Sequence, residues 1–224
     1  MFKQLTPLVT IAIFTFAACK QAPKADKAKV TEPQAVQTTP EGHEYQLDKD
    51  ASLLTWIGTK PTGEHKGVFK FSKGNLHAND SSLTGGSLEI DMKTLQNLDL
   101  VKDADMKKKL EDELNGPNFF DVEKYPTARF EITEVSVFHP GTQDAEVLLK
   151  DATHLVKGNL TLKDSTKNIS FPAKIVVSPQ EINAEANFNI DRTQWGITYR
   201  ADKSLQDRLI NSLVNVRLNI RAKR

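Results

Sequence analysis

The chain is poor in the residues that make chemistry easy to read. Among its 224 residues there is one cysteine, Cys19, so no intramolecular disulfide can form. The five histidines, His43, His65, His77, His139 and His154, never fall at metal-ligand spacing, and no second cysteine supplements them. A nucleophile elbow, a zinc-protease helix, a phosphate loop and a dinucleotide fingerprint are all missing. Carboxylates are many, but none is spaced as a pair that stands out for acid–base work. Neither sign of charge prevails, with 30 Lys and Arg against 29 Asp and Glu, a net charge of +1. That balance gives no reason to expect nucleic acid or an anionic membrane surface as partner. These lacks argue against an enzyme.

Long apolar runs are also missing, except at the N-terminus. Residues 5–18 are mostly apolar and uncharged, after a short basic region at Lys3. The run is shorter than the roughly 20 residues that span a bilayer as a helix. It ends Phe16, Ala17, Ala18, Cys19, with small residues before a cleavage point. This resembles a bacterial lipoprotein signal. The resemblance implies that residues 1–18 are removed and that Cys19 is acylated, anchoring the protein in the cell envelope. Lys20 and Gln21 carry no acidic retention signal, so the expected address is the outer membrane, periplasmic or surface-facing. The alternative is an ordinary signal peptide with a chance cysteine.

Residues 19–43 hold Pro23, Pro33 and Pro40 among Ala, Lys, Gln and Thr, with no aromatic side chain. Such a composition buries too little apolar area to offset ordering, and predicts a flexible tether behind the acylated cysteine. Residues 44–224 then form one domain. Period-two alternation runs through Phe69 and Phe71, Leu88 and Ile90, Phe130 and Ile132, Leu160 and Leu162, and Ala184 to Ile190, and it is clearest from Val214 to Ile220. One-sided strands at short spacing predict an antiparallel barrel or sandwich. Met106, Leu110 and Leu114 predict a short helix ended by Gly116 and Pro117, and Leu205, Leu209 and Leu213 a second one. Sequons at Asn79, Asn159 and Asn168 have no evident use in a bacterial lipoprotein.

Three segments carry open alternatives. Residues 63–67, Gly-Glu-His-Lys-Gly, read as a hairpin loop or as a pocket mouth bearing His65. Phe119 and Phe120 either plug the end of a core or line a cavity. Arg192, in the polar turn before Trp195, either pairs with an acidic neighbour such as Asp191 or reaches a ligand.

Taken in order, several stretches resemble the YceI-like family of exported lipid- or polyisoprenoid-binding proteins. They are Tyr45 to Asp48 with Ser52 to Trp56, Gly67 to Phe69 with Gly74, Gly86 to Asp91, Asn118 to Pro126, Val156 to Lys167, Phe188 to Ile197 and the closing strand. The resemblance implies an all-β domain with short helices, a lipocalin-like eight-stranded antiparallel β-barrel. It implies no catalysis and no cofactor other than a bound isoprenoid or quinone-like amphiphilic lipid. Trp56, Phe69, Phe71, Phe119, Phe120, Phe130, Leu160, Phe188 and Trp195 would line the cavity, with His65, Arg192 and Tyr199 at its mouth. The partners expected are that lipid, the membrane through Cys19 and, as an open question, a second copy. A filled barrel acting as an envelope scaffold is the alternative, and an enzyme using His65 with a carboxylate a third.

Overall fold

A computed structural model describes residues 21–36, 40–80, 82–138 and 147–224, so Cys19 and its signal segment lie outside the described residues. The alternating stretches all form strands. In chain order they are β1 (Asp26–Lys27), β2 (Lys29–Thr31), β3 (His43–Leu47), β4 (Leu53–Lys60), β5 (Gly63–Ala78) and β6 (Leu83–Asn97). After helix α1 (Ala104–Asn115) follow β7 (Thr127–Val137), β8 (His154–Leu162), β9 (Ser165–Val177), β10 (Glu181–Asp191) and β11 (Leu213–Lys223).

The sheet closes on itself as an antiparallel barrel of eight staves. β5 to β10 each pair with the next, β10 pairs with β11, and one further stave lies between β11 and β5. That stave is interrupted. β3 and β4 both run antiparallel to β5 and to β11, with residues 48–52 bulging out between them. Closure leaves no free edge along the wall, which is how a barrel avoids templating other strands.

The barrel interior has two unlike halves. At the end where β5 finishes and β11 finishes, Tyr45, Leu76, Leu83, Ile132, Ile182 and Ile220 fill the space as a packed core. Eight strands enclose about the width that side chains can fill. The opposite half is hollow and is described below.

Three expectations are corrected. The helix expected at residues 205–213 is a 3-10 turn, Lys203–Arg208, and the chain then runs straight into β11. Residues 63–67 are not a loop: the β4–β5 hairpin turns on Pro61 and Thr62 alone, and Gly63 to Gly67 pair with β4. The largest difference concerns the expected tether. β1 pairs parallel with β10, Asp26 opposite Phe188, and β2 pairs antiparallel with β9, Val30 opposite Ile169. Ala28 between them is 3% exposed and belongs to the core. Backbone groups of the sheet supply what the segment's composition lacks, so few apolar residues suffice to order it.

Candidate functional site

The hollow half encloses a cavity of about 590 Å³. Its wall is built by inward-facing residues of every stave, because side chains on a strand alternate between faces. Trp56 on β4, Phe69 and Phe71 on β5, Phe130 on β7, Leu160 on β8 and Phe188 on β10 all line it, at the positions expected from alternation. Between them stand residues that sequence reasoning left out: Leu54, Met92, Ile169 and Phe171, with Val214, Val216 and Leu218 of β11. The signal for β11 was present, since its alternation is the cleanest in the chain. Phe171 stacks on Phe188 with ring centroids 4.1 Å apart.

The mouth is covered by α1 and by the segments around residues 119 and 200. Asp103 caps the helix, its carboxylate accepting from the Met106 N–H at 3.0 Å. No residue of α1 is fully buried, and its stripe of Met106, Leu110 and Leu114 faces the cavity. Gly116 ends the helix, its N–H returning to the Asp112 carbonyl at 3.0 Å. The turn that follows brings Phe119 and Phe120 inward. Both line the cavity: Phe120 meets Phe69 edge-on at 5.5 Å, and Phe119 meets Tyr199 at 5.6 Å.

His65 and Arg192 reach the mouth in different ways. His65 Nδ1 lies 2.8 Å from Asp99 Oδ2. The other oxygen of Asp99 accepts from the Lys66 N–H at 2.8 Å and from Asn97 Nδ2 at 2.6 Å. Burial pushes the Asp99 carboxyl up, but the Lys66 amide, His65 and Asn97 together bring it below the usual carboxylate range. Asn97 is fully buried, and its backbone N–H donates to Glu111 of α1, so this cluster also fixes the helix over the mouth.

Arg192 is 5% exposed. Nε donates to the Asn211 carbonyl at 3.2 Å, Nη1 to Ile197 at 2.5 Å, and Nη2 to Tyr199 at 2.9 Å and Ile210 at 2.8 Å. Burial lowers its pKa, with Asp191 acting in the opposite direction. The guanidinium also lies over the Phe119 ring at 5.6 Å. It therefore lines the cavity as a pin that ties two loops of the rim together, its donors spent on backbone carbonyls.

One expected lining residue is corrected. Trp195 is 1% exposed and lies outside the cavity wall, its Nε1–H donating to the Leu160 carbonyl at 2.9 Å. The strand alternation ends at Asp191, where the chain turns into the 3-10 segment Arg192–Trp195, and the indole joins the buried core with its N–H on the β8 backbone. Trp56 has the opposite character. It is 8% exposed, lines the cavity, and its Nε1–H has no hydrogen-bond partner. Among the described residues no group of three or more His, Cys, Asp or Glu side chains could hold a metal ion.

The profile of the YceI-like domain matches residues 45–222. Among solved structures, Burkholderia cenocepacia BcnA superposes with a TM-score of 0.57 at 17% identity, covering 79% of this chain and 99% of its own. A polyisoprenoid binding domain from Saccharophagus degradans, implicated in plant cell wall breakdown, superposes with a TM-score of 0.55 at 17% identity, covering 80% and 97%. At such identity the likeness carries the fold alone. No curated protein sequence matches the chain.

Proposed function

This chain belongs to the YceI-like family, and we propose that it binds a long-chain isoprenoid or quinone-like lipid in the hollow half of its barrel, without catalysis. The observation that carries this reading is the apolar cavity of about 590 Å³, closed at one end by a packed core and open at the other between α1 and the Arg192 loops. Such a volume lies within the roughly 300–1,000 Å³ of small-molecule sites. At about 25 cal/mol per Å² of apolar surface, enclosing a long isoprenoid supplies roughly 10 kcal/mol before the entropic costs of association. The polyisoprenoid binding domain with the same fold supports the choice of ligand class. The interior argues against the alternative of a filled scaffold, since only one half is filled.

Trp56 sharpens the class. A buried N–H without a partner costs about 1–3 kcal/mol, and a ligand oxygen at Trp56 Nε1 would relieve it. The ligand then carries an acceptor such as a quinone carbonyl near this ring. By the same reading Cys19 is acylated after cleavage at residue 18, and the protein resides at the outer membrane.

The test is extraction of the protein from its native host with organic solvent, followed by mass spectrometry. A stoichiometric isoprenoid or quinone supports the reading. An empty extract, with no uptake of added prenylated quinone, overturns it. In the add-back assay Trp56→Phe should weaken a prenylated quinone about fivefold and leave squalene, which has no acceptor, unchanged. Equal loss of both ligands would remove the indole N–H from the account.

A further inference from the structure

The seam between β9 and β10 is forked. The two strands pair directly from Ile182 opposite Val177 to Ala186 opposite Ala173, and no further. The next residue of β9 is Pro172, which has no N–H to contribute to a ladder. Beyond it β1 and β2 occupy the gap, running parallel to β10 and antiparallel to β9 as one inserted strand must. The strands of the fork thus stand two spacings apart, roughly 9.5 Å, instead of one. The insert is held along its length. Asn189 Nδ2 donates to the Pro23 carbonyl at 2.9 Å, and the Ala28 N–H donates to the Asn189 carbonyl at 2.9 Å. The Asp26 carboxylate accepts from the Leu148 and Leu149 amides at 2.9 and 3.0 Å. Gln34 and the buried Asn159 exchange two bonds, at 3.0 and 2.7 Å.

The fork lies in the hollow half. Ile169, Phe171, Phe188 and Ile190, which flank it, all line the cavity. Barrel diameter grows with strand number, and eight strands leave about the room that side chains fill. The half with eight staves is filled, and the half with nine is hollow. The insert also lies outside the family-matched region, which begins at residue 45.

We propose that residues 23–34 are a ninth stave of the binding site, which holds β9 and β10 apart and sets the cavity wide enough for a methyl-branched isoprenoid chain. The inference rests on the lipid reading above. Its test uses the full chain and two alcohols as probes, branched geranylgeraniol and unbranched 1-hexadecanol. Ala28→Asp places a carboxylate at a buried position of the insert and should release it. Hydrogen exchange of residues 26–31 reports the release, and circular dichroism reports the barrel.

The expected result is a loss of about tenfold in geranylgeraniol affinity with a smaller loss for hexadecanol. Released insert amides with unchanged affinity overturn the proposal, and so does an equal loss for both alcohols. If Ala28→Asp does not fold, Asp26→Ala removes the anchor on Leu148 and Leu149 and should reproduce the same order of losses more weakly. If it leaves both affinities intact while residues 26–31 exchange freely, the proposal falls. An unaltered protein that takes up neither alcohol overturns the lipid reading and this inference together, whereas uptake unaffected by either variant overturns this inference alone.

Discussion

A guanidinium is costly to bury unless its donors are met, and the carbonyls of Ile197, Tyr199, Ile210 and Asn211 accept from that of Arg192. Four backbone carbonyls from two loops depend on this one side chain in return. Arg192→Met should therefore destabilise the protein by about 2–4 kcal/mol, measured by urea unfolding, because it strands those acceptors while keeping the volume. Arg192→Lys should recover little, since one ammonium cannot serve the fork of acceptors. Sequence placed Arg192 at the mouth but could not distribute its bonds, because the carbonyls of Ile210 and Asn211 come from a segment that resembled a helix. His154 gives the pH dependence. It is 8% exposed, and burial lowers its pKa. The folded state then binds this proton less readily than the unfolded chain, whose histidine titrates near about 6.5. The fold is unpenalised above that value and loses stability as pH falls below it toward the folded pKa. Melting temperatures recorded on either side should show the drop, and His154→Gln should flatten it.

At the scale of elements, period-two alternation was enough to find β5 to β8, β10 and β11, because each has one face inside the barrel. It could not tell which half of the barrel would be filled. Phe71 and Leu76 lie five residues apart on β5, out of step in a strict period of two, and a bulge between Phe71 and Lys73 brings both inside, one to the cavity and the other to the packed end. The inserted strands were missed for a different reason. Only Ala28 and Val30 alternate with polar residues there, and what orders the segment is the unpaired backbone of the fork at Pro172, which no local pattern records. Gly67 shows how close the elements approach. A methyl group there would collide with the Gln96 carbonyl and with the Trp56 indole, so the ring lies flat against a bare backbone. Gly67→Ala should cost about 1–3 kcal/mol and shift the tryptophan emission as the indole is displaced into the cavity.

The whole molecule joins a rigid floor to a roomier chamber. Amides at residues 75–78 and 219–222, in strands backed by the filled core, should exchange most slowly with deuterium, and those of 168–171 and 187–190 faster. Adding geranylgeraniol should slow the second group and leave the first unchanged. Equal rates in the two groups of the free protein would contradict the division. The docked insert has a further consequence for where such a molecule sits. Were residues 19–43 a slack leash, the barrel could drift as far as about 85 Å from an acyl group on Cys19. With Pro23 moored to Asn189, only four residues of rope remain, at most about 14 Å. On the proposed attachment at Cys19, the protein rides at short anchor, with the Asn189 flank of its barrel held within about 14 Å of the acylated residue.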